Sequence, residues 1–368
     1  MITPISTSHI DFSDPLFASL YQDYPTFKEW CAKVSQEPET RKAWIANTPD
    51  ARLVAIAIIK LGEGVHGDAS LSAKLSTFKI SEGASAQGIA DQLLSSVLLF
   101  LVEKGVETLF VTVYPKYEPL LSYLTDRGFR VTEARTPLGE IILTLSLHTK
   151  GKITSVINKI AYEVLAKEYI DRAETPGESQ EPPQDLASHL TDGLRDCPKR
   201  LLELGPGSGS VLAHLGSVGD QVIAVELSPK MASIAQKAAP NASVVIADVQ
   251  DVDFPDCHFD GVYMGAFIHL FPKEIALKQL LRVRRWLVRS GRIFINTTSE
   301  LEGSEGFFVK EDYDKKMLRF RSSWTEDAFS QLLSDAGFEV LNRFRTKEVE
   351  RQKNWIGYLC VAKGEADE

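Results

Sequence analysis

At 368 residues the chain is long for one domain and comfortable for two. Its 44% hydrophobic and 25% charged content is that of a globular protein and excludes extensive disorder. With 50 acidic against 41 basic side chains the net charge is −9, which argues against a general nucleic-acid binder. Four cysteines, Cys31, Cys197, Cys257 and Cys360, show neither CxxC nor Cys/His ligand spacing, so reduced thiols are expected, with no metal site. No basic segment followed by an apolar stretch opens the chain, and no run reaches the roughly 18 apolar residues of a membrane span. A soluble, cytoplasmic protein without a membrane partner is expected. A homo-oligomer is compatible with all of this, and the oligomeric state is left open.

The first predicted elements are strands over residues 51–60 and 71–80, the second with polar residues alternating against apolar ones. A glycine-containing loop then opens a helix whose 3.6-residue period runs through Leu93, Leu94, Val97, Leu98 and Leu101 and closes at Gly105. Residues 107–114 read as a buried strand, and Glu118 to Arg127 as a helix ending at Gly128-Phe129. This succession over residues 50–131 resembles the acyl-CoA-binding half of the GNAT acetyltransferases. The resemblance implies acetyl-CoA as a cofactor, with Gly88 and Ala90 in a pyrophosphate turn at a helix N-terminus and Ile80 beside the thioester. Two departures stand against activity. Ser85 replaces the expected Arg or Gln, and Leu124 falls where many members carry a tyrosine acid, with Tyr123 one position away.

Lys152 to Ile170 is helical in pattern, and Glu174 to Gln184 is a polar, proline-containing loop or linker. A domain boundary is expected near residue 150, giving domains of 1–150 and 151–368. Residues 199–209, Lys-Arg-Leu-Leu-Glu-Leu-Gly-Pro-Gly-Ser-Gly, then form a buried strand that ends in an acid and breaks into a glycine turn before a helix. Such a turn needs glycine where the backbone bends sharply and a ligand must come close. A dinucleotide fingerprint would require glycine at Ser210, which disfavours NAD. The next apolar runs end in acids at Glu226 and Asp248, the first near the spacing of about 20 residues for a carboxylate that binds a ribose diol.

With the segment from Phe259 to Phe271, and with a helix, turn and fifth strand over Leu280 to Asn296, this order resembles class I S-adenosylmethionine-dependent methyltransferases. The implied architecture is α/β: a Rossmann-like seven-stranded methyltransferase domain preceded by a smaller α+β GNAT-like domain. The resemblance implies S-adenosylmethionine held by Glu203, Gly205, Gly207, Ser208, Gly209, Glu226, Leu227, Asp248, Val249, Gly265 and Ala266. It further implies His269 beside the reactive methyl, as a base or as a packed side chain. Tyr162, Ala166 and Tyr169 resemble a Tyr-x-x-x-Ala-x-x-Tyr segment that closes over cofactor or substrate in small-molecule methyltransferases.

Between the fifth strand and a helix capped by Thr325, residues 299–323 mix aromatic and basic side chains, including Tyr313, Arg319 and Arg321. They read as a substrate-binding insertion for a flat or acidic small molecule, or else as a solvated helix. Strands over Phe338 to Thr346 and Trp355 to Ala362 end the pattern. Three functions are expected in order: a small-molecule methyltransferase, a bifunctional acetyl- and methyltransferase, and a cofactor-responsive binding protein without turnover.

Overall fold

The computed structural model describes residues 2–64, 71–82, 84, 88–147, 150–173, 183–194, 199–310, 313–348 and 353–363. Ser85, Cys197 and the stretch from Glu174 to Pro182 lie outside them. Contacts divide the chain into one unit of Met1–Ile160 with Val309–Leu318 and a second of Ala161–Phe308 with Arg319–Glu368.

In the first unit β1 (Ile2–Ile5), α1 (Ala18–Asp23), α2 (Phe27–Gln36), β2 (Arg41–Asn47), β3 (Leu53–Leu61) and β4 (Ser72–Ile80) precede α3 (Ile89–Glu103). Then come β5 (Thr108–Val113), α4 (Glu118–Asp126), β6 (Arg130–Arg135) and β7 (Ile141–Ser146). The seven strands lie in the order β1-β2-β3-β4-β5-β7-β6. Only β4 and β5 pair in parallel, and their register stops after Ser72↔Thr108, Ala73↔Leu109 and Lys74↔Phe110. On its other edge β4 stays bonded to β3 as far as Ile80↔Ala55, with one irregularity where Ile58 faces Thr77 and Ile59 faces Leu75. Ser76 is the extra residue of that bulge, which bends the strand. α3 buries the leucine stripe legible in its sequence: Leu93, Leu94, Val97, Leu98 and Leu101 are all fully inaccessible. The elements of residues 1–50 enclose a separate cluster of Phe12, Phe17, Phe27, Val34, Ile56 and Ile58.

α5 (Lys150–Ala173) contains the division between the units. The second unit continues through α6 (Pro183–Thr191), β8 (Arg200–Leu204), α7 (Ser210–Val218), β9 (Gln221–Glu226), α8 (Pro229–Ala238), β10 (Ser243–Ile246) and β11 (Phe259–Met264). It ends with α9 (Lys273–Trp286), β12 (Leu287–Ser299), β13 (Glu305–Lys310), β14 (Met317–Ser322), α10 (Glu326–Asp335), β15 (Phe338–Glu348) and β16 (Lys353–Ala362). Its sheet runs β10-β9-β8-β11-β12-β16-β15. The first five strands pair in parallel, whereas β16 is antiparallel to both β12 and β15. Continuous apolar runs such as Leu201-Leu202 are those of strands covered on both faces. One layer buries Phe259, Trp286, Phe329, Phe338 and Tyr358, and the other buries Leu201, Leu212, Leu215 and Phe294.

Two local expectations are corrected. α9 starts at Lys273 rather than Leu280 and ends at Trp286, because Leu287 already pairs with Phe259 and the chain turns through Ser290 at φ 62 before Arg292 faces Gly261. The solvated-helix reading of residues 299–323 is replaced by a two-stranded hairpin, β13 with β14. Thr325 caps α10 as its sequence suggests, accepting a hydrogen bond from the Ala328 amide at 3.2 Å.

Candidate active site

β8 and β9 are parallel neighbours, Glu203 beside Ala224, and each carries an acidic residue at or next to its end. Both carboxyls are buried, Glu203 at 3% and Glu226 at 8% exposure. Burial disfavours the charged form, so Glu203 is pushed up to about 8, first by desolvation and then by the Glu226 charge. Glu226 rises to about 7, again mainly by desolvation, with Glu163 adding to the rise and the Ser228 and Leu227 amides opposing it. The Ser228 N–H donates to Glu226 Oε1 at 2.8 Å. Glu203 Oε2, in contrast, meets no hydrogen-bond partner among the described residues.

The glycine turn runs between these acids. Its Gly205 N–H donates to the Val225 carbonyl at 3.0 Å, and Gly205, Gly207 and Gly209 have φ of 71, 56 and 82°. A Cβ on Gly209 would stand 2.7 Å from the Ala235 Cα, so this glycine lets α7 start hard against α8. A Cβ on Gly207 would come within 3.3 Å of the Tyr169 ring, which places that tyrosine over the turn. Ser208 is half-buried, its hydroxyl 3.4 Å from that of Ser210, the residue that breaks the dinucleotide pattern.

Further along the sheet, Asp248 accepts the Gln250 amide at 2.9 Å and caps the short turn Val249–Asp251, with Val249 buried and Leu227 half-buried. After β11 the chain turns through Gly265 and Ala266, the latter at φ 51 with its N–H on Asn296 Oδ1 at 2.6 Å. His269 follows in a single turn of Ile268–Leu270, 5% exposed, its ring edge to face with Trp355 at 6.1 Å between centroids. The Ser322 hydroxyl donates to its carbonyl at 3.4 Å.

Three of the five expected substrate residues converge. Tyr162 and Tyr169, two turns apart on α5, meet edge to face with centroids 6.1 Å apart, and Arg319 donates to the Tyr162 hydroxyl at 3.4 Å. Arg321 instead binds Thr298 Oγ1 at 2.8 Å and Glu300 at 3.3 Å. Tyr313 is buried and lies in the segment that belongs to the first unit.

Sequence reasoning missed Glu163. Its carboxylate accepts the Ser228 hydroxyl at 2.6 Å and the Lys230 amide at 3.0 Å, fastening α5 to the start of α8 beside Glu226. An acid on a long helix is by default a solvated one, and only the Tyr162, Ala166 and Tyr169 pattern marked the segment. Phe267 was also unmarked; its ring approaches within 2.6 Å of where a Gly205 Cβ would stand.

In the first unit Ile80 ends β4, Gly88 caps α3 at φ 72 and Ala90 lies in its first turn. Tyr123 is committed elsewhere, its hydroxyl on Asp91 at 3.0 Å and its ring 3.8 Å beneath Arg127, which itself pairs with Asp91 at 2.7 Å. Leu124 is fully buried.

Among the described residues no group of three or more His, Cys, Asp or Glu could hold a metal ion, and no helix is long and apolar enough to cross a membrane. S-adenosylmethionine carries an ammonium, a sulfonium and a ribose diol. An unpartnered buried carboxyl oxygen on Glu203, a second buried carboxyl on Glu226 and an open-backbone turn between them fit that set of groups.

Residues 202–295 match the family model described as a methyltransferase domain. The chain is 25% identical over 187 residues to an uncharacterized methyltransferase of Alkaliphilus oremlandii, covering 48% of this chain and 81% of that protein. It is 24% identical over 151 residues to an uncharacterized methyltransferase of Mycobacterium tuberculosis, covering 37% and 62%. A solved structure, the Burkholderia thailandensis 1,6-didemethyltoxoflavin-N1-methyltransferase with bound 1,6-didemethyltoxoflavin and S-adenosylhomocysteine, aligns with a TM-score of 0.47 at 18% identity, covering 64% of this chain and 96% of that one. Strand order, strand-end acids, glycine turn and family match together define a methyltransferase domain. It is of the class I, S-adenosylmethionine-dependent kind.

Proposed function

We propose that the chain transfers a methyl group from S-adenosylmethionine to a small molecule seated beside Tyr162, Tyr169 and Arg319. The pair of buried carboxyls flanking the glycine turn, one with an unpartnered oxygen, carries this reading. Glu203 would hold the amino-acid end of the cofactor, Glu226 the ribose, and the Asp248 segment the adenine edge. When bound, the cofactor supplies an electrophilic methyl on a cationic sulfur. The chain's own work is to orient the acceptor and exclude water. Tyr169 lies against the turn at Gly207, and Phe267 lies against it at Gly205. A base is required only for an acceptor that must lose a proton on attack, and His269 is the titratable side chain in the turn after β11. Calorimetry of the full chain with S-adenosylhomocysteine tests the reading: binding at low-micromolar Kd or better is expected, and Gly207→Trp should abolish it. Undiminished affinity in that variant would sink the site assignment.

A second reading concerns the first unit. We infer a GNAT-like fold there from the order β1-β2-β3-β4-β5-β7-β6 and from a β4–β5 pair that parts after Lys74. Beyond that point the β5-facing edge of β4 lies outside the parallel register, a place where an acyl group and its pantetheine arm could pair with strand amides. Acetyl transfer further requires a proton donor to the leaving thiolate; buried Leu124 has no such group, and Tyr123 is tied to Asp91. We therefore place CoA binding ahead of acetyl transfer. A thermal-shift titration of the full chain with CoA, alongside an acetyl-CoA hydrolysis assay, separates the two.

A further inference from the structure

Arg319 and Arg321 stand two apart on β14, yet their surroundings differ. Arg321 is neutralised by Glu300 and bonded to Thr298. Arg319 is half-buried, and among the described residues its guanidinium meets the Tyr162 hydroxyl and no carboxylate. A guanidinium withdrawn from water without a counter-charge is unfavourable, and the compensation it is shaped for is a bidentate carboxylate. The two tyrosine rings beside it offer apolar faces at 6.1 Å and 77° to one another, with Tyr169 continuing to the glycine turn. One guanidinium and one phenol hydroxyl match a monoanion better than a phosphate dianion, which would call for more donors.

Building on the methyltransferase reading above, we propose that the methyl acceptor is a carboxylic acid with a ring or other flat apolar body. Arg319 holds its carboxylate, and Tyr162 with Tyr169 packs its body. Arg319 is thus the residue that selects acids over their neutral counterparts.

The test titrates the full chain, saturated with S-adenosylhomocysteine, with benzoate and 4-hydroxybenzoate and with the two corresponding amides, following the melting temperature. The acids should raise it and the amides should not. Arg319→Met should shift the half-saturating acid concentration by about tenfold or more while leaving the S-adenosylhomocysteine Kd within about twofold, and Arg319→Lys should retain part of the response. Equal responses to acids and amides, no response to either acid, or an acid response untouched in Arg319→Met would overturn the proposal. So would a tenfold loss of S-adenosylhomocysteine affinity in Arg319→Met with methylthioadenosine affinity unchanged, since that assigns the guanidinium to the cofactor's own carboxylate. Because S-adenosylhomocysteine binding is measured separately, a failed acid arm leaves the methyltransferase reading to be judged by itself.

Discussion

Replacing Glu203 with glutamine isolates the consequence of burying an acid at the end of β8. The folded chain raises this carboxyl from 4.5 to about 8, a rise of about 3.5 pH units. The fold therefore keeps a proton that the unfolded chain has released, so stability falls as pH rises from about 4.5 to about 8 and the loss is complete above that. Each pH unit inside the window is worth about 1.4 kcal/mol, so between pH 5.5 and 7.5 the wild type should lose about 2.7 kcal/mol through this group. Glu203→Gln lacks the titration, while Glu226 remains in both proteins and largely cancels. The stability difference, variant minus wild type, should climb by about that amount over the window. Urea unfolding of cofactor-free protein at four pH values measures it. The same variant should bind S-adenosylhomocysteine at least about tenfold more weakly at pH 8, because an ammonium then meets an amide in place of a carboxylate. A stability difference flat in pH would refute the argument that the acid is desolvated, whatever happened to affinity.

Gly209→Ala should destabilise by about 2–4 kcal/mol, since the new Cβ meets backbone 2.7 Å away and the residue must hold φ 82; chemical denaturation reads the loss directly. In the first unit Arg127→Ala strands the buried Asp91 carboxylate and should cost about 3–5 kcal/mol, and loss of only a few tenths would show the ion pair to be solvated. For His269→Ala, unchanged S-adenosylhomocysteine affinity together with a fall in kcat marks a base, whereas parallel losses of melting temperature and kcat mark a packing residue against Trp355.

The parts of the site legible in the sequence are those whose chemistry leaves few residue choices. A tight strand-to-helix turn requires glycine, and acids closing successive apolar runs are conspicuous because a buried strand otherwise excludes them. The leucine stripe of α3 was equally plain. By contrast, residues 1–50 fold as short helices and strands whose aromatic residues, Phe12, Phe17 and Phe27, meet only through tertiary packing. The β13–β14 hairpin was read as either an insertion or a helix, because its lysines and arginines break any clean alternation. Arg319 and Arg321 are indistinguishable by type; among the described residues Glu300 neutralises Arg321, whereas Arg319 meets only the Tyr162 hydroxyl. Glu163 gave no signal, since its partners lie sixty-five and sixty-seven residues further along the chain.

α5 gathers Glu163, Tyr162 and Tyr169 within eight consecutive positions. Glu163 anchors the helix beside Glu226, and Tyr162 meets Tyr169, which lies over the glycine turn. On the proposed assignments cofactor and acceptor lean on the same helix, and coupling between two such sites is reciprocal. Whatever steadies this helix from the Glu163 end would lower the ordering cost at the tyrosine end by the same amount. On that proposal the two ligands fill with positive coupling rather than as two independent equilibria.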